Sequence, residues 1–177
     1  MRKSYAPWLL TGAALALVIA PPLTASTQRR PSAEELATEA EVIVVATCTQ
    51  RQSEWHDGRL LTSVEVAVET QLKGPAAQTL SVVLPGGRDA SLEPPLAEVG
   101  IGTPVLRAGE VYLLFLVPSS AVPGRWAVLG SAEGSFHLAP AQIQSGGSPP
   151  PGVPTSPQEL LESVRWWIAA SQTNGQG

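Results

Sequence analysis

Two histidines, one cysteine and scattered carboxylates are the chain's whole stock for metal or nucleophilic chemistry. His56 lies beside Asp57 and Glu54 in a polar run, and His137 follows Glu133. Zinc takes three or four nitrogen, sulfur or carboxylate ligands in convergent geometry. Sequence neighbours in a polar turn do not converge, so His56 and Asp57 read as solvated turn residues. No G-x-S-x-G elbow is present to present a serine nucleophile. Pro85-Gly86-Gly87 lacks the Lys-Ser/Thr that completes a phosphate loop. Cys48 is alone, which excludes an intramolecular disulfide. It follows Val42, Val44 and Ala46 at strand spacing and reads as a small buried hydrophobe, with no basic neighbour or helix start to activate it. No catalytic residue, metal ligand set or cofactor site is expected. The chain reads as a non-enzyme.

Binding remains. Trp55 falls at the tip of the first expected hairpin, where an exposed tryptophan is costly unless packed or used. With His56 and Arg59 it forms a candidate contact tip for a protein partner, since aromatic and arginine side chains are frequent anchors. The competing reading folds Trp55 under residues 88–109. Trp166 is a second aromatic candidate. Its neighbour Trp167 projects about 100° away on a helix, so one of the two can face a core while Trp166 stays exposed.

These residues must be carried by strands. Ser32 with Glu35 forms a capping box for a short N-terminal helix, with Leu36 and Ala40 facing inward. Residues 42–48 are almost continuously apolar, as in a strand buried on both faces. After a turn over 52–58 with Asp57-Gly58 at its centre, Thr62, Val64, Val66 and Val68 alternate with Ser63, Glu65, Ala67 and Glu69, one face apolar and one wet. A third strand over 80–84 is expected to stop at Pro85-Gly86-Gly87, and 88–109 reads as a long surface loop. Residues 111–117 form the most hydrophobic strand and a central one. Strands over 125–130 and 134–138 complete a mainly β, antiparallel meander of five to six strands, open or closed. Residues 140–155 have linker composition. Ser156 and Glu159 cap a C-terminal amphipathic helix over 156–171, whose Leu160, Leu161, Val164, Trp167 and Ile168 share a side. That stripe either docks on the sheet or meets a partner.

The first 26 residues carry an address. Arg2 and Lys3 precede an uncharged run from Trp8 to Ala20, then Pro21-Pro22 and the small residues Thr24-Ala25-Ser26. This is the layout of a secretory signal peptide cut after Ser26. The run of about 13 residues falls short of the roughly 20 that span a bilayer. An uncleaved anchor is the alternative. The expected mature domain, 32–139 plus linker and helix, is exported to the periplasm or the medium with no stable membrane anchor. The chain carries 15 acidic against 11 basic residues, net −4, with no basic run. Nucleic acid is therefore a poor partner.

The hairpin Ala40-Glu41-Val42-Ile43-Val44-Val45-Ala46 to Gln71-Leu72-Lys73-Gly74 resembles the opening of netrin-like, tissue-inhibitor-of-metalloproteinase domains. With Pro85-Gly86-Gly87, Gly109-Glu110-Val111-Tyr112 and Gly134-Ser135-Phe136, it looks more like a bacterial family of exported, uncharacterised proteins. The resemblance covers about residues 36–138 and implies an OB-like barrel with peripheral helices. Those inhibitors chelate the protease zinc through an N-terminal cysteine; cleavage here would leave Thr27, so that mechanism does not transfer. The expectation is an exported protein-interaction module, with a secreted protease among the candidate partners. The alternatives are a small-ligand or glycan-binding barrel of the cell envelope, and a hydrolase whose site would show as His56, His137 and carboxylates drawn together.

Overall fold

In the computed structural model the described residues are 30–139, 142–145, 154 and 156–174. The expected signal peptide lies outside them. Helix α1 (Ala33–Glu39) begins with the expected box: Ser32 Oγ accepts from the Glu35 N–H at 3.1 Å, and the Ser32 N–H donates to Glu35 Oε2 at 2.7 Å. Two 15-residue strands follow, β1 (Val42–His56) and β2 (Arg59–Lys73). Asp57 and Gly58 alone join them, both at positive φ (48° and 74°), as a two-residue hairpin turn requires. The turn expected over 52–58 is therefore mostly strand, because cross-strand pairing runs out to His56 and Arg59.

Strand β3 (Thr79–Asp89) does not stop at Pro85-Gly86-Gly87. It changes partner there. Residues up to Pro85 pair with β2, and Gly86–Asp89 pair with β4 (Leu96–Val99), a strand inside the expected 88–109 loop. Glycine is required at the bend: a Cβ on Gly86 would stand 2.5 Å from the Glu98 carbonyl oxygen, and its φ is +85°. Strand β5 (Val111–Pro118) pairs with β1 on one side and with β6 (Trp126–Val128) and β7 (Ser135–Ala139) on the other. Strand β8 (Gln142–Ser145) pairs with β7, so backbone pairing enters the stretch whose composition reads as linker. Helix α2 (Pro157–Asn174) closes the described chain.

Eight strands thus share one connected network among the described residues. Within it β1, β2, β3, β6 and β5 form a closed, barrel-like ring. The path is not a plain antiparallel meander, because β3 and β6 pair in parallel through Val82 and Trp126. Closure explains the continuously apolar start of β1. Val42, Val44, Ala46 and Cys48 point into the ring with Val64, Val66, Val82, Leu84, Leu114 and Leu116, filling its interior. Ile43 and Val45 point outward beneath the helices.

That second layer holds Leu36 and Ala37 of α1, Leu113 and Phe115 of β5, Phe136 of β7, and Leu160, Val164 and Ile168 of α2. The α2 stripe therefore docks on the sheet. Lys73 ties the layer's edge: its ammonium donates to the Ala37 and Thr38 carbonyls at 3.0 and 2.9 Å, the unpaired end of α1. Gly74 beside it leaves no room for a Cβ, which would lie 2.7 Å from the Glu41 carbonyl oxygen. The Lys-Gly pair is thus a device of the fold.

Candidate functional site

The long β1–β2 hairpin projects its tip well beyond the ring's closure. Trp55 sits there, 48% exposed, and its indole N–H donates to Asp89 Oδ2 at 2.7 Å. Asp89 pairs with Leu96, so tryptophan, β3 and β4 form one continuous end. Two further contacts attach β3 to the hairpin: the Arg88 N–H donates to Ser53 Oγ (2.9 Å), and buried Thr62 donates to the Gly86 carbonyl (2.8 Å). Arg125, in the β5–β6 connection, reaches across to Glu54 and to Ser63 Oγ. The tip is braced from both sides. Asp89 accepts from Ser91 and Trp55, which holds its carboxyl below the ordinary value.

Of the residues singled out from sequence, Trp55, His56 and Arg59 come together at this tip. His56 and Arg59 face each other in the ladder, and His56 Nε2 lies 3.6 Å from Asp57 Oδ2. Trp166 does not join them. It is 66% exposed on α2, whose inner face packs under Ile43, about a dozen residues down β1 from Trp55. At about 3.3 Å per strand residue, that is at most roughly 40 Å along the strand. Trp167 packs inward, as its helical offset requires.

A cleft of about 270 Å³ opens where β3 leaves β2. Arg51 and Arg88 flank it, with Leu84 and Pro85 on one wall and Val99 and Val105 on the other. The arginines escape a reading by motif because they lie 37 residues apart, and only the β3 swing brings them to one cleft.

A second polar cluster lies at Glu110. The Tyr112 hydroxyl donates to Glu110 Oε2 at 2.6 Å and accepts from the Arg107 N–H at 3.0 Å. His137 Nε2 is 3.5 Å from the same carboxylate, and its ring lies 5.2 Å from that of Tyr112. Strand pairing, Tyr112 opposite His137, explains why His137 meets Glu110 while its sequence neighbour Glu133 pairs with Arg30. Glu110, directly before β5, and Tyr112 two residues on were a legible signal for this cluster. The Tyr112 hydroxyl holds the Glu110 carboxyl below its usual range; burial, reinforced by that carboxylate, pushes the phenol up to about 12. A depressed carboxyl contributes stability above its ordinary pKa and loses it as pH falls through the folded value. Tyr112→Phe should therefore raise the Glu110 titration seen by carboxyl NMR. Its stability deficit against wild type should shrink as pH falls through that titration. An unmoved Glu110 titration would refute this coupling.

Cys48 is buried in the ring, where desolvation raises its pKa. Among the described residues no group of three or more His, Cys, Asp or Glu side chains is placed to hold a metal ion. The two histidines have separate carboxylate partners, Asp57 and Glu110. No helix of the described residues is long and apolar enough to cross a membrane. No protein-family model matches the chain, and no match emerged among curated proteins.

Proposed function

We propose that this chain is an exported, non-enzymatic protein-interaction module on an OB-like barrel, with the end formed by Trp55, β3 and β4 as its contact surface. The exposed apolar surface carries this reading. Seven large hydrophobic side chains are exposed among the described residues, and five lie on Trp55, the β3–β4 connection, β4 or the adjoining cleft: Trp55, Leu92, Leu96, Val99 and Val105. Clustering of exposed apolar side chains along one element marks interaction sites on folded proteins. A ring of five strands with one parallel closure supports the OB-like reading, and such barrels bind through one face and its bordering loops. The side-chain-filled ring interior weighs against a ligand-binding barrel. Export rests on the signal-like residues 1–26, and a secreted protease is one candidate partner.

The test uses the full chain, tagged at its C-terminus and expressed in its own host, with crosslinking and mass spectrometry of envelope and medium. The expected result is one dominant exported protein, lost with Trp55→Ala, and a bait whose N-terminus is Thr27. Absence of any reproducible protein partner would overturn the module reading.

A further inference from the structure

The chemistry of the partner is written in the charges around the cleft. Arg30, Arg107 and Arg125 each stand within ion-pair distance of a carboxylate, and Lys73 is held by backbone carbonyls. Among the described residues that leaves Arg51, Arg59, Arg88 and Arg165 without an ion pair. Three of these four belong to the hairpin and β3. Arg51 and Arg88 flank the same cleft, accompanied there by one carboxylate, Glu98, with which neither pairs. In a chain of net charge −4, a cleft with two unpaired guanidiniums is a local inversion of charge. Guanidinium forks favour carboxylates, and such pairs gain strength when apolar surroundings exclude water.

The walls add shape. Val99 and Val105 line the cleft and are also exposed, Val99 at 88%. Ile101, between them in sequence, is fully exposed. Strand β4 pairs with β3 alone among the described residues, so its outer edge offers unpaired backbone groups. Edges are usually blunted by charge, proline or a bulge; β4 carries a single charge, Glu98, between the exposed Leu96 and Val99. At about 270 Å³ the cleft has room for an anchoring side chain.

We infer that the β4 end takes an extended, acidic and apolar peptide segment of the partner protein. Its carboxylates meet Arg51 and Arg88, its apolar side chains cover Val99 and Val105, and its backbone pairs along the free edge of β4. This rests on the interaction-module reading and specifies its ligand.

The probe is a displayed library of short random peptides, selected on the full chain. Selected peptides should alternate Asp or Glu with apolar residues. Arg51→Glu/Arg88→Glu should weaken them at least about tenfold, the scale of a lost pair of charge-assisted contacts. Val99→Asp, at an exposed position, should weaken them likewise, and bound peptide should slow amide exchange at Ala97–Val99. Circular dichroism establishes that both variants are folded. Enrichment of basic or uncharged peptides, no enrichment, or binding indifferent to the arginines would overturn the proposal. If host crosslinking still captures a protein dependent on Trp55 in that case, the module reading stands and this cleft chemistry alone fails.

Discussion

Gly134→Ala is expected to destabilise the fold by about 3 kcal/mol or more, among the larger effects a single methyl can have. Gly134 ends a short 3₁₀ turn, Ser131–Gly134, that feeds β7. A Cβ there would run into the Leu129 carbonyl oxygen and stand 3.1 Å from Val128 Cγ1. Neither neighbour can yield cheaply: the Leu129 N–H is bonded to the Phe115 carbonyl at 2.9 Å, and Val128 pairs with Leu116. Relief would require moving β7 away from β5, which would open the outer layer. Gly124→Ala supplies the contrast. Its φ is +78° but nothing lies within 4 Å of the added methyl, so only left-handed strain remains, about 1 kcal/mol. Urea unfolding of both variants reads the difference as separate midpoints. Equal midpoints would mean that the turn accommodates the methyl and that close approach does not explain this glycine.

Phe136→Ala should cost about 3–5 kcal/mol, the range for emptying a buried aromatic site. Its ring is fully buried and meets Phe115 edge-on, centroids 5.8 Å apart with planes at 70°. The two rings share the layer beneath α1 and α2 with Leu36, Leu160 and Val164. The cavity would therefore open under the helices, and the ring interior would keep its packing. Amide exchange should rise in α2 before it rises in β2. The Phe115→Ala/Phe136→Ala double variant should fall short of additivity by about 0.5–1.5 kcal/mol, the worth of an aromatic pair beyond its buried area. A loss below about 1.5 kcal/mol for Phe136→Ala would show that the layer collapses around the gap and that α2 is held elsewhere.

The glycine and strand-end motifs singled out in the sequence mostly do mechanical work. Lys73-Gly74 caps α1 and clears Glu41, Gly86 clears β4 at the strand exchange, and Gly134 clears Leu129. Glu110 is the exception, since it organises Tyr112, Arg107 and His137. Motifs of this kind report how backbones cross and say little about what the protein binds.

What was legible in the residues was local. The Asp57-Gly58 turn, the alternation of β2, the capping box of α1 and the buried stripe of α2 follow from spacings of two to eight residues, at which backbone geometry alone decides which side chains share a face. The tip residues Trp55, His56 and Arg59 could be grouped for the same reason. Continuation of β3 past Pro85 could not, because Gly86 and Gly87 read as a stop until β4 arrives to pair with them. Partners 27 or more residues apart were equally hidden, as for Glu110 with His137 and Arg51 with Arg88; for Trp55 the residues pointed to the stretch 88–109 but not to Asp89. The sequence by itself determined α1, α2, the first hairpin and β5, because strand and helix periods are written in neighbouring residues; β4 and β8 form only where a partner strand arrives to pair with them. Tertiary structure alone decided that Trp166 stands apart from Trp55 and that two arginines without an ion pair among the described residues flank one cleft. Those placements depend on ring closure and on where one strand trades partners, and both are set by long-range packing.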